Sequence, residues 1–293
     1  MKIKFLLMSM VAAMLVSCGT TSTVPITGRK QNLMVSDGEM LSLSTQQYQE
    51  FMKTAKLSTD ATKTAMVKRV GQNLANAVVS YLNANGMQND VQNYKWQFNL
   101  VADKQANAWG MPGGLIVVYE GLLPITQDEA SLAIVLGHEI AHAVARHSAE
   151  QMSQQMKQQY GVQGVSAVAS ILGVGSNTIS LGQAMASAGL NLANLKYSRN
   201  HESEADYMGL IFAAMAGYNP ESAVSFWQRM SSASTSTTAE FLSDHPSDAT
   251  RIKNIQGWLP EAKKYYKPKT TTTAKKTTTT KKKTTTKKTT TKK

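Results

Sequence analysis

The chain of 293 residues has an ordinary apolar content of 42%, which suits one large soluble domain with a sizeable core. Its formal net charge of +12 is uneven, because thirteen of the 31 Lys and Arg residues lie in residues 263–293, which contain no acid, and two more are Lys2 and Lys4. The body between them carries 16 basic and 19 acidic residues, which excludes a basic surface for nucleic acid, and we expect no nucleic-acid partner.

The N-terminus has the features of a bacterial export signal. A positively charged start precedes an apolar run, residues 5–16, that is too short to span a bilayer. The run ends in Leu15-Val16-Ser17-Cys18, which resembles the lipobox at which bacteria attach a diacylglyceryl group to the cysteine. We therefore predict a lipoprotein signal peptide over residues 1–17 and lipidation of Cys18, with an ordinary signal peptide as the alternative. Gly19 is not the aspartate that retains enterobacterial lipoproteins at the inner membrane, so we expect a cell-envelope protein anchored to the outer membrane.

Composition divides the rest of the chain into three parts. Residues 18–35 show little apolar periodicity and are predicted to form a lipidated tether, residues 36–260 a single domain, and residues 261–293 a disordered tail. The tail consists largely of Lys and Thr repeats, which cannot bury enough apolar area to fold. Two roles for it remain open: a solvating extension, or electrostatic binding to anionic lipid or a cell-wall polymer.

Within the domain, apolar spacing indicates both helices and strands. Apolar residues recur at spacings of three and four over Leu41–Phe51 and Val67–Leu82, which predicts two amphipathic helices. The segments Trp96–Val101 and Leu115–Tyr119 are predicted as strands. Thr126-Gln127-Asp128-Glu129 has the pattern of a capping box and is followed by a long apolar run, which predicts a further helix through Val144.

This last helix contains the pattern His-Glu-x-x-His. On a helix, His138 and His142 lie one turn apart on the same face, where both imidazoles can reach one zinc ion. Glu139 then lies beside the metal and is suited to act as the general base for a metal-bound water. Since the only cysteine is Cys18, any further ligand in the body is a histidine, aspartate or glutamate.

Two parts of the sequence could supply a third ligand. The metzincin spacing requires glycine and histidine where this chain has Ala145 and Ser148, so that scheme fails. His147 lies five residues after His142, away from the ligand face, and is interpreted as a helix-surface or structural histidine.

A second helix offers carboxylates instead. Glu202 and Asp206 are one turn apart and share a face, which suits a ligand beside a carboxylate that orients a ligand histidine. Glu204 lies about 200° around the helix from Glu202 and is predicted to point elsewhere. The alternative is that Glu202 and Glu204 are both solvated surface charges.

These residues resemble the family-48 metallopeptidases, and the similarity extends over roughly residues 25–258. The segments that carry it are Pro25–Arg29, Asn107–Gly114, the His-Glu-x-x-His motif, Glu202–Asp206, His245-Pro246 and Arg251. The resemblance implies an α+β, predominantly helical, zincin-like (gluzincin) domain with a small antiparallel sheet.

The same resemblance implies an endopeptidase with one Zn²⁺ per chain, held by His138, His142 and Glu202. It assigns catalysis to Glu139 and support of the site to Asp206. The expected function is hydrolysis of unfolded or misfolded envelope proteins. The alternative function is an envelope assembly or chaperone factor that rarely cleaves, although such a factor would not need the general base.

The resemblance also implies substrate contacts. It suggests that Leu115–Tyr119 is an edge strand on which an extended peptide pairs, with Gly114, Leu115, Ile116 and Val117 as contacts, together with Arg251. In a periplasmic member of the family, a histidine placed like His245 caps the zinc in a resting state. His245 is therefore interpreted either as such a switch or as a residue that contacts the substrate or the oxyanion.

Overall fold

A computed structural model describes residues 20–158, 191–233, 241, 245 and 249–268. The predicted signal peptide, Cys18 and the Lys/Thr repeats after residue 268 lie outside these residues. The strands are β1 (Thr20–Thr23), β2 (Lys30–Leu33), β3 (Gln97–Val101), β4 (Ala108–Met111) and β5 (Leu115–Tyr119). The helices are α1 (Asp37–Thr54), α2 (Ala61–Ala84), α3 (Gln88–Val91), α4 (Leu123–Thr126), α5 (Glu129–Val144), α6 (Arg199–Met215), α7 (Ser222–Ala233) and α8 (Ala249–Tyr265). Residues 147–158 are also helical, and short 3₁₀ turns cover Glu120–Leu122 and Leu192–Asn194. In the described part of the chain, no helix has both the length and the apolar character needed to cross a membrane.

The predicted helices are present and begin at side-chain caps. Helix α1 starts with a capping box in which Ser36 and Glu39 satisfy each other's backbone N–H groups. Asp60 caps α2, whose buried face is the apolar stripe that the sequence indicated. The cap of α5 was predicted at the wrong residue: Asp128, not Thr126, accepts the hydrogen bond, from the Ser131 backbone N–H at 2.7 Å. The cap shifts because Thr126 closes the preceding short helix α4.

A three-stranded sheet with the order β3-β5-β4 lies between two layers of helix. One face packs with α2 and α5 in the main core, and the other packs with α1 and the segment around Leu192. The predicted α+β class, mainly helical with a small sheet, is confirmed. The pairing of β5 with β4 is antiparallel as expected, whereas β5 and β3 run parallel.

The strand order corrects one prediction. Strand β5 is the central strand and not an edge, because β3 and β4 occupy both of its backbone edges. Residues Leu115, Ile116 and Val117 are buried, and Gly114 leads directly into the paired strand. These residues therefore have no free edge on which a substrate could pair. The edge next to α5 belongs to β4.

The boundaries of the domain also differ from those predicted. Residues 20–35 are not a tether, because β1 and β2 form an antiparallel hairpin that packs on the domain, with Val24 only 1% exposed and Val35 buried. At the other end, α8 continues to Tyr265 and buries Ala262, so the folded part extends past residue 260. Apolar anchors within these short polar segments fix them to the core.

Helices α5 and α6 cross with their backbones in contact, at a glycine on each. A Cβ atom added to Gly137 would lie 2.6 Å from the Gly209 carbonyl oxygen, and one added to Gly209 would lie 2.6 Å from the His138 backbone nitrogen. Any side chain at either position would separate the helices. Since both motif histidines follow Gly137 and both predicted carboxylates precede Gly209, this crossing brings the two sets together.

Candidate metal centre

Four potential ligands from three parts of the chain converge at this crossing. His138 and His142 come from α5, Glu202 from α6, and His245 from the region before α8. One ligand atom from each lies within 4.8 Å of the others, and all four residues are buried. The structure therefore assembles the three ligands predicted from the sequence and adds His245 to the group.

The distances within the group match a tetrahedral site. The His138 Nε2 atom lies 3.0 Å from His142 Nε2, 3.1 Å from His245 Nδ1 and 3.4 Å from Glu202 Oε2. Glu202 Oε1 lies 3.3 Å from His142 Nε2 and 3.0 Å from His245 Nδ1. Four ligand atoms about 2.0 Å from a tetrahedral zinc ion would be about 3.3 Å apart.

Hydrogen bonds behind the histidines turn their lone pairs toward the group. His138 Nδ1 lies 2.9 Å from Asp206 Oδ1, and a carboxylate can only accept, so Nδ1 carries the proton and Nε2 presents a lone pair. Burial alone would lower the pKa of His138, but Asp206 and Glu202 outweigh it and raise the pKa to about 9. The two carboxylates thus favour a positive charge on Nε2, which either a proton or a metal ion bound to the lone pair can supply.

The donor set fits a divalent transition metal. Three imidazole nitrogens and one carboxylate oxygen are typical zinc ligands, whereas calcium and magnesium prefer oxygen donors. Burial opposes ionisation of Glu202, but the charges of His245 and His138 lower its pKa well below the usual range. Glu202 is therefore anionic, and as a ligand it would compensate part of the charge of a dication.

Glu139 lies beside this group and not within it. Its side chain is 2% exposed, and burial raises its pKa despite the neighbouring His245 and His138. The Gly110 backbone N–H of β4 donates to the carboxylate. The Oε1 atom has no hydrogen-bond partner among the described residues and lies 3.6 Å from His245 Nε2. A buried, unpartnered carboxylate oxygen next to the ligands is suited to accept a proton from a water at the metal.

Arg251 supports the centre from behind, which corrects its predicted role. Its guanidinium donates to Asp206 Oδ1 at 2.6 Å and to the His245 carbonyl oxygen at 3.1 Å, and it lies 3.6 Å from the centre of the Trp227 ring. Only 7% of the residue is exposed. Arg251 is therefore packed inside the domain and is not placed to contact a substrate.

Comparison with known proteins supports the same class of site. The sequence model of peptidase family M48 matches residues 61–259, which contain all four potential ligands and Glu139. The chain belongs to peptidase family M48. This confirms the family predicted from the sequence, and the metal-ligand group is the centre of this M48 domain.

Several M48 relatives are metallopeptidases by name. The mitochondrial metalloendopeptidase OMA1 of Schizosaccharomyces pombe is 34% identical over 172 residues, which are 58% of this chain and 48% of that protein. Metalloprotease LoiP of Escherichia coli is 27% identical over 261 residues, 87% of this chain and 96% of that protein. The putative beta-barrel assembly-enhancing protease of Vibrio cholerae is 28% identical over 183 residues, which are 61% of this chain and 37% of that protein. The chain thus spans about half the length of OMA1, and the names of these relatives agree with the predicted class, a metalloendopeptidase.

The M48 centre also includes residues that sequence reasoning left outside it. His147 is fully buried, with its Nδ1 atom 2.9 Å from His142 Nδ1, so it is a structural histidine and not a surface one. Glu204 points away from the ligand group, as helix geometry predicts, but it accepts a hydrogen bond from His147 at 3.0 Å. No local spacing indicates this contact, because it joins residues 57 positions apart.

Proposed function

We propose that this protein is a zinc metalloendopeptidase that cleaves unfolded or misfolded proteins of the bacterial envelope. The observation that carries the proposal is the unpartnered oxygen of Glu139 beside three histidines and a glutamate. A zinc ion bound by His138, His142 and Glu202 would lower the pKa of a bound water and polarise a peptide carbonyl.

The residues around the ligands have distinct roles in this proposal. Glu139 takes a proton from the attacking water and passes it to the leaving amine, and its raised pKa suits both steps. Asp206 holds the ring of His138, and Arg251 holds Asp206. Asp206 and Arg251 therefore act through His138 and do not touch the substrate.

Strand β4 is the proposed docking edge for the substrate. Trp109 and Met111 direct their backbone groups at β5, so the carbonyl oxygens of Ala108 and Gly110 point away from β5, whereas the N–H groups of these two residues already donate to Asn107 and Glu139. Gly110 also contacts Glu139, which places this edge next to the general base. A peptide added here would be held mainly through its backbone, which favours extended, unfolded segments of little sequence preference.

Casein or an unfolded outer-membrane protein, incubated with the purified protein and Zn²⁺, provides the test. Internal cleavage that stops with a chelator and returns with Zn²⁺ supports the proposal. Zinc-loaded protein that suppresses aggregation of the same substrates without cutting them would favour the alternative, an assembly or chaperone factor.

We further propose that Cys18 carries a lipid that anchors the protein to the outer membrane. The lipobox-like sequence supports this, as does the similarity to a bacterial protease named for beta-barrel assembly. Cys18→Ala is expected to move the protein from the membrane to the soluble fraction. If the variant stays on membranes until the salt is raised, the basic tail is itself an anchor to anionic lipid or cell-wall polymer.

For His245 we propose the role of a capping switch. Its Nδ1 atom lies within the ligand group, and all the ligands are buried, so a peptide reaches the metal only after His245 moves. His245→Ala is expected to raise basal casein cleavage, by about tenfold if the capped form holds about 90% of the molecules. Reduced turnover at normal zinc content would instead identify His245 as a transition-state contact.

A further inference from the structure

The turn of the β1–β2 hairpin reaches the helices that carry the metal centre. The turn is closed by a hydrogen bond from the Val24 backbone N–H to the Arg29 carbonyl at 2.8 Å, and Val24 is buried in the main core. Burial of Val24 fixes the turn on the domain, so that Thr27 and Arg29 lie next to α6 and the helix over residues 147–158.

Arg29 binds one glutamate on each of these helices. Its Nε atom donates to Glu204 Oε2 at 2.8 Å, and its Nη1 and Nη2 atoms donate to the two oxygens of Glu150 at 2.9 and 2.7 Å. Thr27 Oγ1 donates to the other oxygen of Glu204 at 2.6 Å. Both oxygens of Glu204 are thus held by the hairpin, in a fixed orientation.

From Glu204, the contacts lead directly to a metal ligand. Glu204 is an acceptor, so His147 donates to it from Nε2 and keeps a lone pair on Nδ1. That lone pair accepts the proton on His142 Nδ1, at 2.9 Å, which leaves the His142 Nε2 lone pair directed at the ligand group. The hydrogen bonds therefore specify both the tautomer and the orientation of His142.

We propose that Arg29 is a positioning residue for the metal centre and acts on His142 through Glu204 and His147. Arg251 and Asp206 orient His138 in the same way, through hydrogen bonds. Arg29 differs in that it comes from the N-terminal hairpin. This inference rests on the proposed metal site. The two are distinguishable, because failure of the unmodified protein to bind Zn²⁺ refutes the site, whereas equal binding by the variants refutes only the role of Arg29.

The test is competition for Zn²⁺ between a chelating indicator and the full-length protein. Glu204→Ala is expected to weaken Zn²⁺ binding roughly 10–100-fold, as is usual when a hydrogen-bond partner of a ligand histidine is lost. Arg29→Gln is also expected to weaken Zn²⁺ binding. Arg29→Lys keeps a positively charged donor and is expected to bind Zn²⁺ more tightly than Arg29→Gln but less tightly than the unmodified protein. Arg69→Gln is the matched control, because Arg69 pairs with Glu129 at the N-terminal end of α5, where both side chains are exposed.

A double variant separates this role from a general contribution to folding. Arg29 also holds Glu150, which lies 3.1 Å from His201, so its loss lowers stability by a second route. If Arg29 acts on the metal through Glu204, adding Arg29→Gln to Glu204→Ala leaves Zn²⁺ affinity unchanged while the metal-free protein unfolds at a lower temperature. Additive losses of affinity, or single variants within twofold of the unmodified protein, would overturn the proposal.

Discussion

Glu139→Gln is expected to abolish peptide hydrolysis while the metal stays bound. Glutamine has nearly the same size, and its side-chain oxygen still accepts the hydrogen bond from the Gly110 N–H. It cannot take up a proton, however, so the attacking water loses its base. A positioned general base typically contributes about 10²–10⁴-fold, and we expect kcat for casein-derived peptides to fall by that factor.

Zinc content measured beside turnover distinguishes a base from a ligand. Glu139→Gln should retain one zinc per chain, whereas Glu202→Ala should lose both zinc affinity and activity, because Glu202 is one of three proposed protein ligands. Turnover near that of the unmodified protein in Glu139→Gln would refute the mechanism. Loss of zinc in this variant would mean that Glu139 itself is a ligand.

Gly209→Ala is expected to destabilise the fold and to impair the metal centre together. The added Cβ would lie 2.6 Å from the His138 backbone nitrogen and 2.7 Å from the Gly137 carbonyl carbon. These are backbone atoms and cannot rotate away, so α5 and α6 must separate. Overpacking of this kind costs about 1–3 kcal/mol or more, and the separation moves the carboxylates of α6 away from the histidines of α5.

The matched control is Gly257→Ala on the exposed side of α8, where no atom lies within 4 Å of an added Cβ. There, alanine should stabilise the helix by up to about 1 kcal/mol and leave zinc binding unchanged. Thermal unfolding of the metal-free proteins and Zn²⁺ competition report the two effects. Unchanged zinc affinity in Gly209→Ala would show that the helix crossing does not set the geometry of the centre.

The residue placements on which the sequence and the structure agree follow from the geometry of single elements. His138 and His142 share a face because they are one helical turn apart, and the same argument pairs Glu202 with Asp206. The apolar run Leu115–Tyr119 forms a strand within those bounds. Each of these inferences needs only the local period of a helix or a strand.

The predictions that failed depend on contacts between distant residues. The apolar run of β5 is equally compatible with an edge and with the centre of a sheet, and β4, only four residues long, has no alternating pattern that would reveal it as the edge. The substrate contact of Arg251, which the family resemblance implied, is wrong because Asp206 and the Trp227 ring hold the side chain inside the domain. Arg29 lies in a segment with little apolar periodicity, so its local pattern does not place it in the domain.

The position of the hairpin changes what a lipid on Cys18 would do to the protein. A flexible leader over residues 18–35 could extend about 60 Å and let the domain sample the periplasm, at about 3.4 Å per residue. Since β1 begins at Thr20, only about 7 Å of chain separates Cys18 from the folded domain. An anchored molecule would lie against the bilayer with the hairpin side toward the lipid. It would meet its substrates by diffusion in the plane of the membrane, and chains that emerge at that surface would be cut before those free in solution.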